Sequence, residues 1–172
     1  MDFDIMLITD RYELDTYIGD ILRLQEYCDK TSKEDSWYIQ TTKDEFYSLF
    51  DNEGILLLAM IDGMIEAVSI AGNYHADAEE VKRSKIRLNT HKCIYYDCVF
   101  VHPIHRGKRL QQRLMCETLA IAKKYGYKRS WCVVCPDNVY SLKNIEAVGY
   151  RKIGEINYPT NGWVRNVMYR EI

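Results

Sequence analysis

The chain has 172 residues, 47% of them hydrophobic and 28% charged, a composition that fits a soluble globular protein folded as one domain over residues 1–172. A net charge of −2 argues against the basic face that nonspecific nucleic-acid binding needs, and no apolar run approaches the ~18 residues of a membrane span. The acidic start Met1-Asp2-Phe3-Asp4 lacks the positive region of a signal peptide, so the expected location is the cytoplasm, with the six cysteines as reduced thiols.

Phe3 to Ile8 reads as a first strand. Thr9 or Asp10 is placed to cap a helix in which Leu14, Ile18, Ile21, Leu22 and Gln25 follow helical spacing. Residues 29–41 are polar and loop-like. Thr42-Lys43-Asp44-Glu45 predicts a second helix start, with Phe46, Leu49 and Phe50 as its apolar face and Asn52-Glu53-Gly54 as its end. Asp62-Gly63 between the apolar runs Ile55–Ile61 and Met64–Ile70 predicts a hairpin. The charged connection from Gly72 to His91 carries a weak helical pattern near Ala76–Lys85, and connections of that length are often functional or mobile.

Cys93 to Val101 reads as a strand, and Leu110 to Tyr125 as a helix with Leu110, Leu114, Ile121 and Tyr125 in register and Gly126 as its stop. Between them lies Val101-His102-Pro103-Ile104-His105-Arg106-Gly107-Lys108-Arg109-Leu110-Gln111. A short basic glycine loop opening a helix suits an anion, because the first helical amides lack intrahelical partners and the helix dipole is positive there. It is neither a Walker loop nor a G-x-G-x-x-G fingerprint. A further strand spans Ser130–Cys135, a helix follows Asn138 and ends at Gly149, and Tyr150–Ile156 with Val164–Arg170 predict a closing antiparallel pair around a turn at 158–162.

Cys132 and Cys135 form a C-x-x-C within a strand-like run. Residues three apart in a strand face opposite ways, and Cys93 and Cys98 share that parity problem, so buried inert thiols are expected and no metal.

The loop resembles the pyrophosphate loop of the GCN5-related N-acetyltransferase (GNAT) family, V-x-P-x-x-R-G-x-G-[IL]-[GQ], at Val101, Pro103, Arg106, Gly107, Leu110 and Gln111. It departs at Arg109, where the family usually has glycine. Asn138 through Ser141 to Gly149-Tyr150 resembles the family's N-x-x-[SA]-x(7)-G-[FY] block. The resemblance covers residues 93–152 firmly. It implies an α/β (α+β) acyl-CoA N-acyltransferase fold, a mixed, mostly antiparallel seven-stranded sheet flanked by about four helices and splayed between its fourth and fifth strands. It also implies acetyl transfer from acetyl-CoA to a primary amine by direct attack in a ternary complex.

By that resemblance the amides of Gly107 to Gln111 receive the pyrophosphate, with Arg106, Lys108 and Arg109 nearby. The backbone of Val99, Phe100 and Val101 pairs with the pantetheine, and Asn138 bonds to it. Asn138 equally suits a plain helix cap. An amide near Val99 would donate to the thioester oxygen. The positions where family members carry a thiolate-protonating tyrosine or a basic glutamate correspond to Ile145 and a site near Val133, neither of which titrates. Asp97 remains as a base candidate, two residues before Val99 and so expected on its face with Tyr95. A structural aspartate is the alternative. Tyr95 and Tyr140 are weaker candidates for an acid, and a covalent route through Cys98 or Cys135 lacks a histidine partner.

The family shapes its acceptor site with the segments corresponding to 29–41 and 157–163. Glu34, Asp35, Trp37, Tyr38, Tyr158 and Trp163 there would attract a cationic amine, or else form an exposed loop with anchoring aromatics. The acceptor is a small-molecule or a protein amine, with no nucleic acid or membrane partner expected and homodimerisation left open. A non-catalytic CoA-binding sensor or scaffold of the same fold is the alternative, and a metal or redox protein using the cysteines is a third.

Overall fold

The computed structural model describes residues 3–73 and 78–172. Its elements run β1 (Asp4–Ile8), α1 (Arg11–Lys30), α2 (Lys43–Asp51), β2 (Ile55–Ile61), β3 (Met64–Gly72), α3 (Ala78–Arg83), β4 (Cys93–Val101), α4 (Leu110–Lys124), β5 (Arg129–Val134), α5 (Val139–Ala147), β6 (Arg151–Asn157) and β7 (Val164–Glu171). Short 3-10 turns sit at Asp35–Trp37 and Pro103–His105. The strands make one sheet in the order β1-β2-β3-β4-β5-β7-β6, antiparallel except where β4 meets β5. This is the expected seven-stranded acyltransferase architecture, with α3 as a fifth, short helix. Of the weak helical pattern at Ala76–Lys85, Ala78–Arg83 is helical, and Ala76 and Asp77 lie outside the described residues, as do Met1 and Asp2.

Local chemistry sets most element ends. The Asp10 side chain accepts from Glu13 N and caps α1. Thr42 and Glu45 form a reciprocal capping box at α2. Asp62 and Gly63 both take positive φ, 49° and 78°, the shape a two-residue hairpin turn needs. Gly54 follows α2 for a different reason from the expected one. The left-handed residue there is Glu53, at φ 59°. A Cβ on Gly54 would overlap the Leu49 carbonyl, so the glycine serves close approach.

The sheet separates two layers. α4 and α5 cover one face through Leu110, Leu114, Met115, Leu119, Ala122 and Ile145, which pack on Ile55, Leu57, Ile94 and Met168. Tyr125, expected in the α4 stripe, is exposed, because the buried row follows Leu114, Met115, Thr118, Leu119 and Ala122. α1 and α2 cover the other face through Leu14, Ile18, Ile21, Leu24, Phe46 and Leu49 on Leu56, Leu58, Val68 and Ile70. Leu22 is only partly buried there, while Leu24 and Cys28 continue the stripe from Ile21. A smaller cluster around Trp131, Tyr95 and Val167 fills the β5–β7 end. No helix among the described residues is long and apolar enough to cross a membrane.

β4 carries a bulge. Ile70 opposes Cys98 and Ala71 opposes Tyr96, which leaves Asp97 as the extra residue. Side-chain parity therefore flips along the strand: Ile94 and Tyr96 pack toward α4, and so do Val99 and Val101. The expectation that Asp97 and Tyr95 share the face of Val99 is corrected by this bulge. Cys93 and Cys98 are likewise returned to one face, though in separate clusters.

Five cysteines are buried or half-buried and Cys116 is exposed. Burial pushes the Cys93 thiol up to about 12 and raises Cys28, Cys98 and Cys132 as well. Such thiols stay neutral and unreactive near neutral pH. A thiol reagent on the native protein should label Cys116 first and the others only on unfolding, which mass spectrometry after timed labelling would check. Gly54→Ala should destabilise the fold by about 1–3 kcal/mol through overlap with the Leu49 carbonyl, read from urea unfolding.

Candidate active site

β4 and β5 pair only through Cys93–Tyr95 and Arg129–Trp131. Beyond those residues β5 pairs with β7, β4 pairs with β3, and the two strands part. The parting leaves one edge of β4 open. His102 N donates to Glu66 O at 2.8 Å, and antiparallel bonding alternates along a strand. The amides and carbonyls of Val99 and Val101 therefore point away from β3, into the opening. A cavity of about 720 Å³ runs through it, lined by Val99, Phe100 and Val101, by Arg106, Gly107 and Arg109 to Gln111, and by Asn138. Asp97, Tyr95 and Tyr140 line it too, as do the apolar Val133 and Ile145. No titratable group stands at those last two positions.

The loop into α4 is built by backbone shape. Gly107 has φ 79° and Arg109 has φ 59°, both left-handed. A Cβ on Gly107 would meet nothing within 4 Å, so glycine is used there for its dihedral. Arg109 holds a left-handed conformation at a cost of about 1–2 kcal/mol. That is what a glycine at this position would relieve, a need the sequence pattern expressed only as close approach. Arg113 N donates to Arg109 O, the first bond of α4, so the amides of Leu110, Gln111 and Gln112 precede the helical ladder.

Side chains brace this loop. The Arg106 guanidinium turns back to donate to Val101 O and Cys28 O, both at 3.4 Å. His105, 4% exposed, has Nδ1 at 3.2 Å from Lys108 Nζ and Nε2 at 3.2 Å from the buried Glu66 carboxylate. His102 lies 3.7 Å from the same carboxylate. Sequence reasoning missed this pair. The signal was Glu66, a lone charge inside the apolar run of β3. Between α4 and α5, Gln111 donates to Ser141 Oγ, Asn144 donates to Gln111 Oε1, and Gln112 donates to Asn144 Oδ1. Asn138 caps α5 by accepting from Ser141 N at 3.1 Å.

On the α1–α2 side, Thr41 Oγ1 donates to Asp97 Oδ2 at 2.8 Å. The Thr41 backbone exchanges two bonds with the buried Gln25 amide. Asp97 is thus held at the wall of the cavity by a fixed donor. The segment after α1 contributes Ser32, Lys33, Trp37, Tyr38 and Gln40 to the wall, whereas Glu34 and Asp35 are exposed and outside it. Lys33 donates to the Tyr140 hydroxyl at 3.0 Å, which lowers that phenol's pKa. From the closing hairpin the lining residue is Arg165; Trp163 and Tyr158 stand beside its guanidinium at 5.2 and 6.0 Å. Those two rings stand against the chain's own cation, an arrangement neither of the two expected roles described. Among the described residues no group of three His, Cys, Asp or Glu is placed to hold a metal.

The backbone donors at the loop and at the open edge of β4 suit an elongated ligand with an anionic end. A family model described as the acetyltransferase (GNAT) family matches residues 18–150. A search of curated proteins finds no match. Among solved structures the chain is similar to an N-acetyltransferase from Staphylococcus aureus Mu50, at 15% identity and a TM-score of 0.70 over 98% of both chains. It is similar to yncA, a putative acetyltransferase from Salmonella typhimurium with its cofactor acetyl-CoA, at 13% identity and a TM-score of 0.71 over 99% of this chain and 94% of that one. It is also similar to a phosphinothricin acetyltransferase from Sinorhizobium meliloti in complex with acetyl-CoA, at 13% identity and a TM-score of 0.71 over 100% of this chain and 89% of that one. The family match runs from within α1 to the end of α5 and takes in both walls of the opening: the chain belongs to the acetyltransferase (GNAT) family.

Proposed function

We propose that residues 1–172 form one N-acetyltransferase domain that moves an acetyl group from acetyl-CoA to a primary amine by direct attack. The observation that carries this reading is the continuity of one cavity from the α4 loop to the open edge of β4. Acetyl-CoA, bound in two of the similar structures, supplies the thioester.

Each group of residues then has a task. The amides of Gly107 to Gln111, with Arg106, Lys108 and Arg109, hold the diphosphate by charge and main-chain donation. The edge of Val99, Phe100 and Val101 aligns the pantetheine, as an added strand would. The side-chain N–H of Asn138 is a further donor, because its oxygen alone is used in capping α5. The Val99 N–H faces the opening and would donate to the carbonyl oxygen as it gains charge. An alkyl ammonium with a pKa of roughly 10 must lose a proton before attack. Among the described residues two carboxylates line the cavity, Glu45, which is engaged in the Thr42 cap, and Asp97, and Asp97 receives that proton through a water. The thiolate leaving as the C–S bond breaks regains a proton from solvent or from Tyr140.

The apolar Val133 and Ile145 favour a second reading, a sensor that binds acetyl-CoA without turnover. The two readings separate on release of free thiol when a panel of amines is added. Calorimetry should show saturable acetyl-CoA binding, with a stability gain of about 2.7 kcal/mol at a hundredfold excess over Kd. Gly107→Pro should abolish that binding, since proline fixes φ near −65° where the loop needs 79°; unchanged affinity would reject the loop assignment. Asp97→Asn should lower kcat on the order of 10²-fold while sparing acetyl-CoA affinity. Full activity across the pH range would remove Asp97 as the base.

A further inference from the structure

Arg165 is 3% exposed, yet it lines the cavity. Its Nη1 donates to Val164 O at 2.9 Å and its Nη2 to Ser36 O at 2.7 Å. Both partners are neutral carbonyls, and no carboxylate among the described residues pairs with it. A guanidinium carries five N–H donors, so most of its fork is unspent. A buried cation without an anion is costly, and a carboxylate that meets its free N–H groups in good geometry offsets part of that cost.

Two more donors stand in the same wall. Trp37 Nε1 and the Tyr38 hydroxyl are buried with no hydrogen-bond partner among the described residues. Burial raises the Tyr38 phenol well above its usual range, so it remains a protonated donor. Arg165 ties the segment that carries Trp37 through Ser36, whereas the Tyr38 ring packs on Phe100 and its hydroxyl stands near Cys28 and Arg106. Trp163 and Tyr158 flank the guanidinium and fix its plane.

The register places Arg165 on the acceptor side. Val133 opposes Val167, and Arg165 lies two residues along β7, on the same sheet face. Asp97 meets Thr41 on the α1–α2 side, away from the α4 loop. The acidic Glu34 and Asp35, which would have drawn in a cation, are outside the wall. Asp97 and Glu45 also line the cavity from the α1–α2 side, so this end offers a buried cation at Arg165 for an anion and carboxylates for an amine.

We propose that the acceptor is an amine that also bears a carboxylate, an amino acid in chemical class, and that this carboxylate seats on the Arg165 fork beside the segment that carries Trp37. The proposal rests on the acetyl-transfer reading and names its acceptor. The amine is thereby held at a fixed reach from Arg165, toward Asp97 and the open edge of β4.

The test compares L-leucine, L-phenylalanine and L-glutamine with their carboxamides as acceptors, by thiol release at saturating acetyl-CoA. An α-amino group beside an amide deprotonates readily, with a pKa of about 7.7–8.0. Intrinsic reactivity therefore works against the expected order. Wild-type kcat/KM should favour the acids on the order of 10²-fold. Arg165→Met should bring that ratio near one with acetyl-CoA affinity unchanged, and Arg165→Lys, which keeps the charge and loses the fork, should fall between. Amides that serve as well as acids in the wild type, or a ratio that survives Arg165→Met, would overturn the proposal even if the methionine variant folds poorly, because the first comparison needs no variant. If calorimetry shows no acetyl-CoA binding, the transfer reading fails by itself. The carboxylate site is then read from tryptophan fluorescence: a saturable response to the acids and not the amides supports it, and its absence overturns it.

Discussion

The site depends on a pairing that stops. β4 and β5 exchange backbone bonds for three residues each and then separate. A parted sheet exposes main-chain donors and acceptors that must find partners or stay in water. Here each strand keeps its other neighbour, β3 for β4 and β7 for β5, so the gap opens without loss of the sheet. The Asp97 bulge sits at the start of the gap. It turns Val99 toward the α4 side and leaves the Asp97 carboxylate with Thr41 on the other. One extra residue thus divides the opening into a side near the α4 loop and a side with a carboxylate beside Thr41.

The two sides are held by different physics. On the α4 side the structure relies on backbone dihedrals, with Gly107 and Arg109 left-handed and the early amides of α4 ahead of the ladder. Side chains there act as braces: Arg106 on Val101 O and Cys28 O, and His105 between Lys108 and Glu66. On the α1–α2 side, side chains line the wall, and long-range hydrogen bonds hold the segment that carries them. Gln25 fixes Thr41, Arg165 fixes Ser36, and Tyr140 meets Lys33 and Trp37. The segment from Ser32 to Thr41 is therefore tied to α1, β7 and α5 at once.

What could be read from the chain was local. The Thr42–Glu45 box, the Asp62-Gly63 turn and the order of strands and helices follow from chemistry within a few residues, and the structure has them all. In the Val101–Gln111 loop Gly107 marks a left-handed position by its residue type, whereas the left-handed Arg109 was not marked. The bulge at Asp97 was not legible, since neither glycine nor proline marks it and it exists only against the register of β3. Side-chain parity along β4 failed for that reason. Arg165 read as one more residue of a closing strand; its burial and the lack of a carboxylate beside it are products of tertiary packing. Glu34 and Asp35, conspicuous in the sequence, turned out to face solvent.

Arg109 adds one consequence. It occupies a left-handed position at the threshold of α4 where glycine would be comfortable. Glycine leaves an unliganded loop many shapes to sample; a side chain with a β-carbon removes most of them. The turn is therefore largely arranged once the chain folds, and little would remain to be lost on binding the diphosphate proposed for this loop. A stiffer, slightly strained threshold trades a fraction of native stability for a receptor that is already in shape.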